Sequence, residues 1–215
     1  MVCQDTHRNM NARVRRIIPP LLIVVAWAGM LSWWTSGFSA FTTFSHTLKA
    51  AGPLPRPAPV FHIRDQFGAV HDTDDFGGSY VLLQFSYLSC GDVCPLSMAD
   101  FQRVQAALQR SMPGELLLLS ISFDPDRDTT QRLFDTWRYH GRPTGWYMAA
   151  LDSPLDDNIQ ADLQRLGVWV SRRDDSLFNH SAQTFLVSPD GQVVQAFEGP
   201  GNSGSIIAAV KERLP

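Results

Sequence analysis

Cysteine is scarce in this chain: three in 215 residues, at Cys3, Cys90 and Cys94. That count excludes a scaffold stapled by several disulfides. Lysine occurs only at Lys49 and Lys211, and the arginines of the C-terminal three quarters are scattered, with Arg172-Arg173 the one adjacent pair. With a net charge of -3, the chain lacks the basic stripe that tracks nucleic-acid phosphates. No GxGxxG, Walker or nucleophile-elbow pattern occurs, which removes the common nucleotide loops and the serine hydrolases built on that elbow. No internal repeat is visible, so a solenoid is excluded. Charge itself is missing from Ile17 to Ser45.

That uncharged stretch organises the N-terminus. Residues 1–16 carry Arg8, Arg13, Arg15 and Arg16 against Asp5 alone. The run from Leu21 to Phe38 is apolar and rich in Trp, Leu, Ile and Val. About 20 such residues span a bilayer as a helix, and a basic flank stays cytoplasmic. The expectation is a transmembrane anchor over 17–38 with Trp33 and Trp34 near the outer interface. The competing reading is a signal peptide cleaved near Gly37–Ala40, whose small-residue site is poor and whose apolar core is long. Both readings export the remainder to a compartment where disulfides persist. Residues 39–58 read as a semi-rigid polyproline stalk: the run Ala51–Pro59 at its end carries four alternating prolines, Pro53, Pro55, Pro57 and Pro59. Residues 59–215 are enough for one well-buried domain.

Within that domain, Val60–Arg64 and Ala69–Asp72 flank a glycine turn at Gly68 and predict a hairpin. Tyr80–Tyr87 and Glu115–Phe123 are near-continuous apolar runs, as buried parallel strands require. Pro95–Met112 predicts a helix, with Phe101, Val104 and Leu108 on one face. Asp128–His140 predicts another, presenting Leu133, Phe134 and Trp137. Trp146–Leu151 reads as a strand. Ser153-Pro154 reads as a cap and first helical position before the stripe Leu155, Ile159, Leu163, Leu166. Ala182–Val187 and Gln192–Phe197 flank the turn Ser188-Pro189-Asp190-Gly191, and Ile206, Ile207, Val210 and Leu214 mark a last helix. The fold class is α/β: a thioredoxin-like fold with an N-terminal β-hairpin, a central mixed sheet and flanking helices, plus the N-terminal transmembrane helix.

Cys90 and Cys94 lie in Leu88-Ser89-Cys90-Gly91-Asp92-Val93-Cys94-Pro95, where a strand ends and a helix begins. A helix N-terminus favours the thiolate, the reactive and metal-binding form. The usual redox spacing has two residues between the cysteines; here three intervene, which still permits a disulfide and also opens room for a bridging ion. An inert staple is the plain alternative, countered by the position at the end of a core strand, where ligands bind in open α/β sheets. His180 precedes the last hairpin in a loop expected to pack on the cysteine loop. Two thiolates and one imidazole suit Cu(I) in a trigonal site better than zinc, which closes structural sites with four ligands. Asp124 ends a strand as Cys90 does and is expected beside the site, supporting its ligands; Asp126 and Asp128 read as turn and helix caps. Met98 and Met148 read as core fillers, and His62 and His71 as solvent-facing.

Three segments in order resemble the Sco/SenC family of copper-delivery proteins for cytochrome c oxidase assembly. Cys90-Gly-Asp-Val-Cys94-Pro95 resembles its CxxxCP motif, Asp124-Pro-Asp-Arg-Asp128-Thr129 its DPxxDT segment, and Asn179-His180-Ser through Gly191 its ligand histidine and hairpin. The resemblance runs from about Pro59 to Arg213. It departs at Ser86-Tyr-Leu-Ser89, where many members have Gly-Phe/Tyr-Thr, and at Asn179, where Asp is common. The resemblance implies copper, as Cu(I) with Cu(II) as the alternative, bound through Cys90, Cys94 and His180.

The expected function is a membrane-anchored copper metallochaperone delivering copper to the binuclear centre of cytochrome c oxidase. Its partners would be the copper-binding oxidase subunit and the inner membrane, with no nucleic acid. It would be single-pass, with the N-terminus cytoplasmic and the C-terminal domain periplasmic. The alternative is a thiol–disulfide oxidoreductase that keeps client cysteines reduced through Cys90 and Cys94; a redox sensor or peroxidase and a copper-responsive docking module are weaker readings. Whether the chain is an enzyme is left open by the sequence, since the same sulfurs serve transfer and reduction.

Overall fold

The computed structural model describes residues 4–34, 43–90, 94–173 and 177–214, with side chains for 18–34, 47–90, 95–173 and 177–214. It divides into two units, Met1–His46 and Thr47–Pro215.

In the first unit, helix α1 spans Gln4–Trp34 and carries Pro19 and Pro20 inside it. The helix starts well before the expected boundary at Ile17, so the arginine-bearing segment and the apolar run form one continuous element. Among the described residues no helix is long and apolar enough to cross a membrane. The transmembrane helix expected over 17–38 is therefore not supported; its last residues, 35–38, lie outside the described residues, as does the Gly37–Ala40 cleavage site. Leu21, Leu22, Ile23, Val24, Val25 and Trp27 are all exposed.

The second unit begins earlier than Pro59. Where a stalk was expected, helix α2 (Thr43–Ala50) forms and strand β1 (Arg56–Pro57) pairs antiparallel with the penultimate element of the chain. Proline is tolerated there because an edge strand need not donate on its outer side. Leu48 packs on the core, and the Arg56 guanidinium donates to the carbonyls of Gly52 at 2.7 Å and Leu166 at 2.9 Å. These contacts fasten the segment to the domain.

The remaining strands are β2 (His62–Asp65), β3 (Val70–Asp72), β4 (Tyr80–Ser86), β5 (Leu116–Ser122), β6 (Trp146–Leu151), β7 (Val170–Arg172), β8 (Phe178–His180), β9 (Gln183–Val187) and β10 (Gln192–Glu198). The helices are α3 (Cys94–Leu108), α4 (Thr130–Tyr139), α5 (Asp157–Leu166) and α6 (Ser203–Lys211). Eight strands form one sheet in the order β1-β10-β9-β4-β5-β6-β2-β3. β4, β5 and β6 are parallel, joined by α3 and α4; β9 and β2 close this core antiparallel on either side. Every residue of β5 is buried, which explains why it reads as an unbroken apolar run rather than an alternation. One face packs Leu83, Phe85, Ile121 and Phe185 with α5. The other packs Leu82, Leu118, Trp146 and Leu186 with α3 and α6.

Several boundaries differ from expectation for local reasons. α3 stops at Leu108 and its last expected turn is a 3₁₀ turn, Gln109–Ser111. α4 is capped by Thr129, whose side chain accepts from the Arg132 N–H, and not by Asp128. α5 is capped by Asp156, whose carboxylate accepts from the Ile159 N–H, and not by Ser153. Gly167 ends α5 with φ 99°, and a Cβ there would meet Leu48 Cδ1 at 2.9 Å, so both its conformation and its closeness to α2 require glycine. His180, expected in a loop, is the last residue of β8, which pairs with β7 in a separate two-stranded sheet.

Candidate metal centre

β4, the first of the three parallel strands, leads at its C-terminal end into the cysteine segment. After Ser86 the chain continues through Tyr87, Leu88 and Ser89 to Cys90, whose N–H closes a turn on the Tyr87 carbonyl at 3.2 Å. Cys90 is half-buried against the first core face. Gly91–Val93 and the Cys94 side chain lie outside the described residues; the Cys94 backbone starts α3, where a helix terminus favours negative charge. Among the described residues no group of three histidine, cysteine or carboxylate side chains converges.

A buried carboxylate pins the approach to Cys90. Asp128 is 1% exposed, and its Oδ2 accepts the Leu88 N–H at 2.7 Å and the Ser122 hydroxyl at 2.6 Å. Arg132 Nη1 lies 3.2 Å from the other oxygen, an ion pair whose N–H is not aimed for a hydrogen bond. The same guanidinium reaches the Ser89 hydroxyl at 3.4 Å and donates to the Arg127 carbonyl at 3.0 Å. Two consecutive residues before Cys90 are thus held by one carboxylate–guanidinium pair. Burial raises the Asp128 carboxyl above its ordinary value; Ser122, Leu88 and Arg132 oppose that rise, and the neighbouring Asp124 charge adds to it. Sequence reasoning gave Asp128 a capping role and missed this one, because a cap and a buried clamp look alike until the strand ends are brought together.

His180 is joined to the cysteine segment through Tyr87. The tyrosine hydroxyl donates to the Phe178 carbonyl at 3.2 Å and accepts the Phe178 N–H at 3.3 Å, so its tip is stitched to β8. Its ring stands edge-on to His180 with centroids 5.7 Å apart, and Phe123 does the same at 5.1 Å. The imidazole therefore sits in an aromatic wall made of Tyr87, Phe123 and Phe178. Its Nδ1 lies 2.9 Å from the Ser181 carbonyl oxygen. That contact places the proton on Nδ1 and leaves the lone pair on Nε2, the arrangement that suits a metal ligand. Burial lowers the His180 pKa from its ordinary value, and the bond to Ser181 opposes the drop.

Among the described residues, Asp124 makes no hydrogen bond or ion pair with Cys90 or His180. Its carboxylate pairs with Arg127, and its carbonyl accepts the Asp128 N–H at 2.9 Å. The guanidinium so held lies 5.9 Å from the ring centroids of both Tyr87 and Phe178. Asp124 acts on the aromatic wall through Arg127, a cation–π contact of the usual reach. Asn179, in the position where the resembling family carries Asp, is exposed.

A cleft of about 680 Å³ opens beside Cys90, walled by Leu88, Pro95, Met98, Arg132, Tyr139 and His140. Met98 is buried, its sulfur accepting from Gln84 Nε2 at 3.4 Å, so it fills the core as expected. His140, which has no partner by spacing in the sequence, meets Gln102 Nε2 at 2.6 Å and lies 5.3 Å from the Trp146 ring. His71 does not face solvent freely: it is half-buried between Phe76 and Tyr147 and pairs with Asp65 at 3.2 Å. His62 is exposed and pairs with Asp72.

Two expected outcomes follow from this geometry. Asp128→Ala strands the Leu88 N–H and the Ser122 hydroxyl, which costs about 1–3 kcal/mol of stability; hydrogen exchange should show the Leu88 amide losing protection first, while the β5 amides keep theirs. Folded His180 and His140 both hold protons less tightly than the ordinary value of 6.5, each through burial. The unfolded chain then binds more protons in the window below 6.5, so stability of the metal-free protein is full above that pH and falls as acid carries it through the lowered folded values. Denaturant midpoints at neutral and mildly acidic pH should show this drop, and His180→Gln should shrink it. An unchanged drop in that variant removes His180 as a cause.

Comparison with known proteins agrees with this architecture. A putative copper-binding protein of Stutzerimonas stutzeri is 28% identical over 149 residues, covering 66% of this chain and 69% of that protein. A SCO1/SenC family lipoprotein from Bacillus anthracis superposes with a TM-score of 0.65 at 21% identity, over 74% of this chain and 96% of that one. Copper-bound ScoI of Arabidopsis thaliana superposes with a TM-score of 0.62 at 19% identity, over 74% of this chain and 98% of that one. At these identities the structural likeness is one of fold, and it establishes the thioredoxin-like α/β arrangement. The SCO1/SenC family matches residues 53–215, a span that holds the cysteine segment, the Asp128 clamp and the β8 histidine, and the chain belongs to that family.

Proposed function

We propose that this protein binds copper and serves the assembly of cytochrome c oxidase by handing that copper to the oxidase subunit that houses the binuclear centre. The observation that carries the reading is the setting of His180: a buried imidazole whose pKa burial lowers, its Nδ1 turned to the Ser181 carbonyl, walled by aromatic rings and tied through Tyr87 to the turn that bears Cys90. The proposed ligands are Cys90, Cys94 and His180. Two thiolates and an imidazole make a soft, low-coordinate set matched to Cu(I), and the relatives named as copper-binding or copper-bound support the same metal.

Transfer would proceed by ligand exchange. Each bond from a protein sulfur to copper is replaced by one from a sulfur or nitrogen of the client, with no change in oxidation state. The half-buried Cys90 lines the open cleft, from which a client group can reach its sulfur. Loading requires both sulfurs reduced and deprotonated, so copper occupancy depends on the redox state of the pair.

The same exposure of Cys90 to the cleft favours a second reading, thiol–disulfide exchange with client cysteines, in which His180 plays no part. We further propose that the arginine-bearing, apolar N-terminal helix attaches the protein to the inner membrane, with the folded unit on the periplasmic side. The exposed side chains Leu21 to Val25 and Trp27 support attachment, and attachment would raise the effective concentration of donor near acceptor.

Titrating the reduced full chain with Cu(I) should give about one copper per protein, with a large loss of affinity in Cys90→Ser and His180→Ala. Full affinity in His180→Ala, together with reduction of a disulfide-bonded client peptide to its dithiol at the expense of the Cys90–Cys94 thiols, gives the second reading instead. The full chain is expected to sediment with the membrane fraction at neutral pH, and recovery in the soluble fraction would overturn the attachment.

A further inference from the structure

Gln183 opens β9, is 3% exposed, and neither its Nε2 nor its Oε1 has a hydrogen-bond partner among the described residues. Both ends of a side-chain amide are thus withdrawn from water without replacement, an arrangement folded proteins keep only where a bound group or an ordered water completes it. The strand register says which way the amide faces. β9 runs antiparallel to β4 with Leu83 opposite Phe185 and Gln84 opposite Thr184. Leu83, Phe85 and Phe185 belong to the first core face, and Leu82 and Leu186 to the other. Side chains alternate along a strand, so Gln183 shares the face of Phe185 and falls beside Phe85. The next residue on that face of β4 is Tyr87, two positions and about 7 Å further along the strand. Tyr87 carries the Cys90 turn on its carbonyl and the His180 ring at its edge. Cys90 itself packs at the rim of this same face. The orphaned amide therefore lies on the sheet face against which Cys90 packs, toward the strand end that continues into Tyr87.

We infer that Gln183 is a positioning residue for bound copper: its side-chain N–H donates to a copper-bound cysteine sulfur and so sets how tightly the ion is held. The inference rests on the reading that copper is bound at this end of the sheet. Thiolate sulfur gains electron density that a donor can stabilise, and hydrogen bonds to a ligating sulfur tune both affinity and electronic character. Apolar side chains at this position would leave the sulfur without that donor.

The test compares the full chain with Gln183→Leu, which keeps volume and removes the amide, and Gln183→Asn, which keeps the amide and withdraws it by one methylene. Thermal melting of the metal-free proteins comes first; Gln183→Leu is expected to melt no lower than the parent, because an unsatisfied buried group has been removed. Copper(I) affinity by competition with a chelator of known strength should fall about tenfold in both variants. In the copper(II) form, the sulfur-to-copper charge-transfer band should move to lower energy, since a hydrogen bond that held the sulfur electrons down is gone. A purely structural role would change the melting point and leave that band in place. If the parent binds copper and loses it in His180→Ala, yet both Gln183 variants match the parent in affinity and band position, the amide is satisfied by water alone and this inference fails by itself. If the parent binds no copper, the proposed function fails and takes the inference with it.

Discussion

The cysteine end of the molecule depends on a carboxylate that has been taken almost wholly out of water. Asp128 accepts from a backbone N–H of the segment before Cys90 and from a hydroxyl at the end of β5, and it faces a guanidinium that also reaches Ser89. Moving a carboxylate into a protein interior costs several kcal/mol after relaxation. Hydrogen bonds to a charged acceptor return about 1.5–3 kcal/mol each. The upward shift of its pKa, with burial as the leading cause, says that the return does not quite match the cost. Such a group is a poor source of stability and a good source of position: it tolerates few alternative placements of Leu88 and Ser89. The loop bearing Cys90 therefore leaves β4 in one direction, beside the aromatic wall.

That wall does a second job. Tyr87, Phe123 and Phe178 surround His180 with apolar edges, and the tyrosine hydroxyl satisfies both backbone groups of Phe178. The consequence is an imidazole that holds its proton less tightly than usual, with Nδ1 turned to the Ser181 carbonyl. A solvent-exposed histidine would be partly protonated near neutral pH and would have to lose that proton before ligating. Asp124 belongs to the same arrangement at one remove, since it holds Arg127 near the rings of Tyr87 and Phe178.

Much of this was legible in the sequence where burial is uniform. β4, β5 and β6 are buried along nearly their whole length, so their apolar runs mark them, and Trp146–Leu151 was expected to the residue. The cysteine pair sat where a strand ends and α3 begins, a junction marked by Pro95. The hairpin β7–β8 escaped notice because its strands are three residues long, straddle a polar stretch and pair only with each other. The stalk was misjudged for a related reason. Proline spacing says that a segment cannot be helical there; it does not say that Leu48 and Arg56, on either side, find partners on a distant core. Asp128 and Gln183 were illegible as site residues because one resembled a cap and the other a polar residue in a strand. Only the convergence of strand ends gives each its neighbours.

The proposed ligands come from three separately folded pieces: a pinned turn, a helix N-terminus and a small hairpin outside the main sheet. Cys90 and Cys94 stand close in sequence, but His180 joins them only in the folded chain, so a metal held by all three would bind the folded chain more tightly than the unfolded one. Its binding free energy would then add to stability by mass action, growing with the logarithm of free metal over the dissociation constant. The pieces differ in how firmly they are held. Cys90 is fixed by backbone and carboxylate, whereas β8 is fastened through Phe178 and the tip of Tyr87. An ion bridging them would draw on the hairpin as its most adjustable part, and a client that competes for the sulfurs would leave the imidazole behind in its aromatic wall, where burial disfavours its protonation.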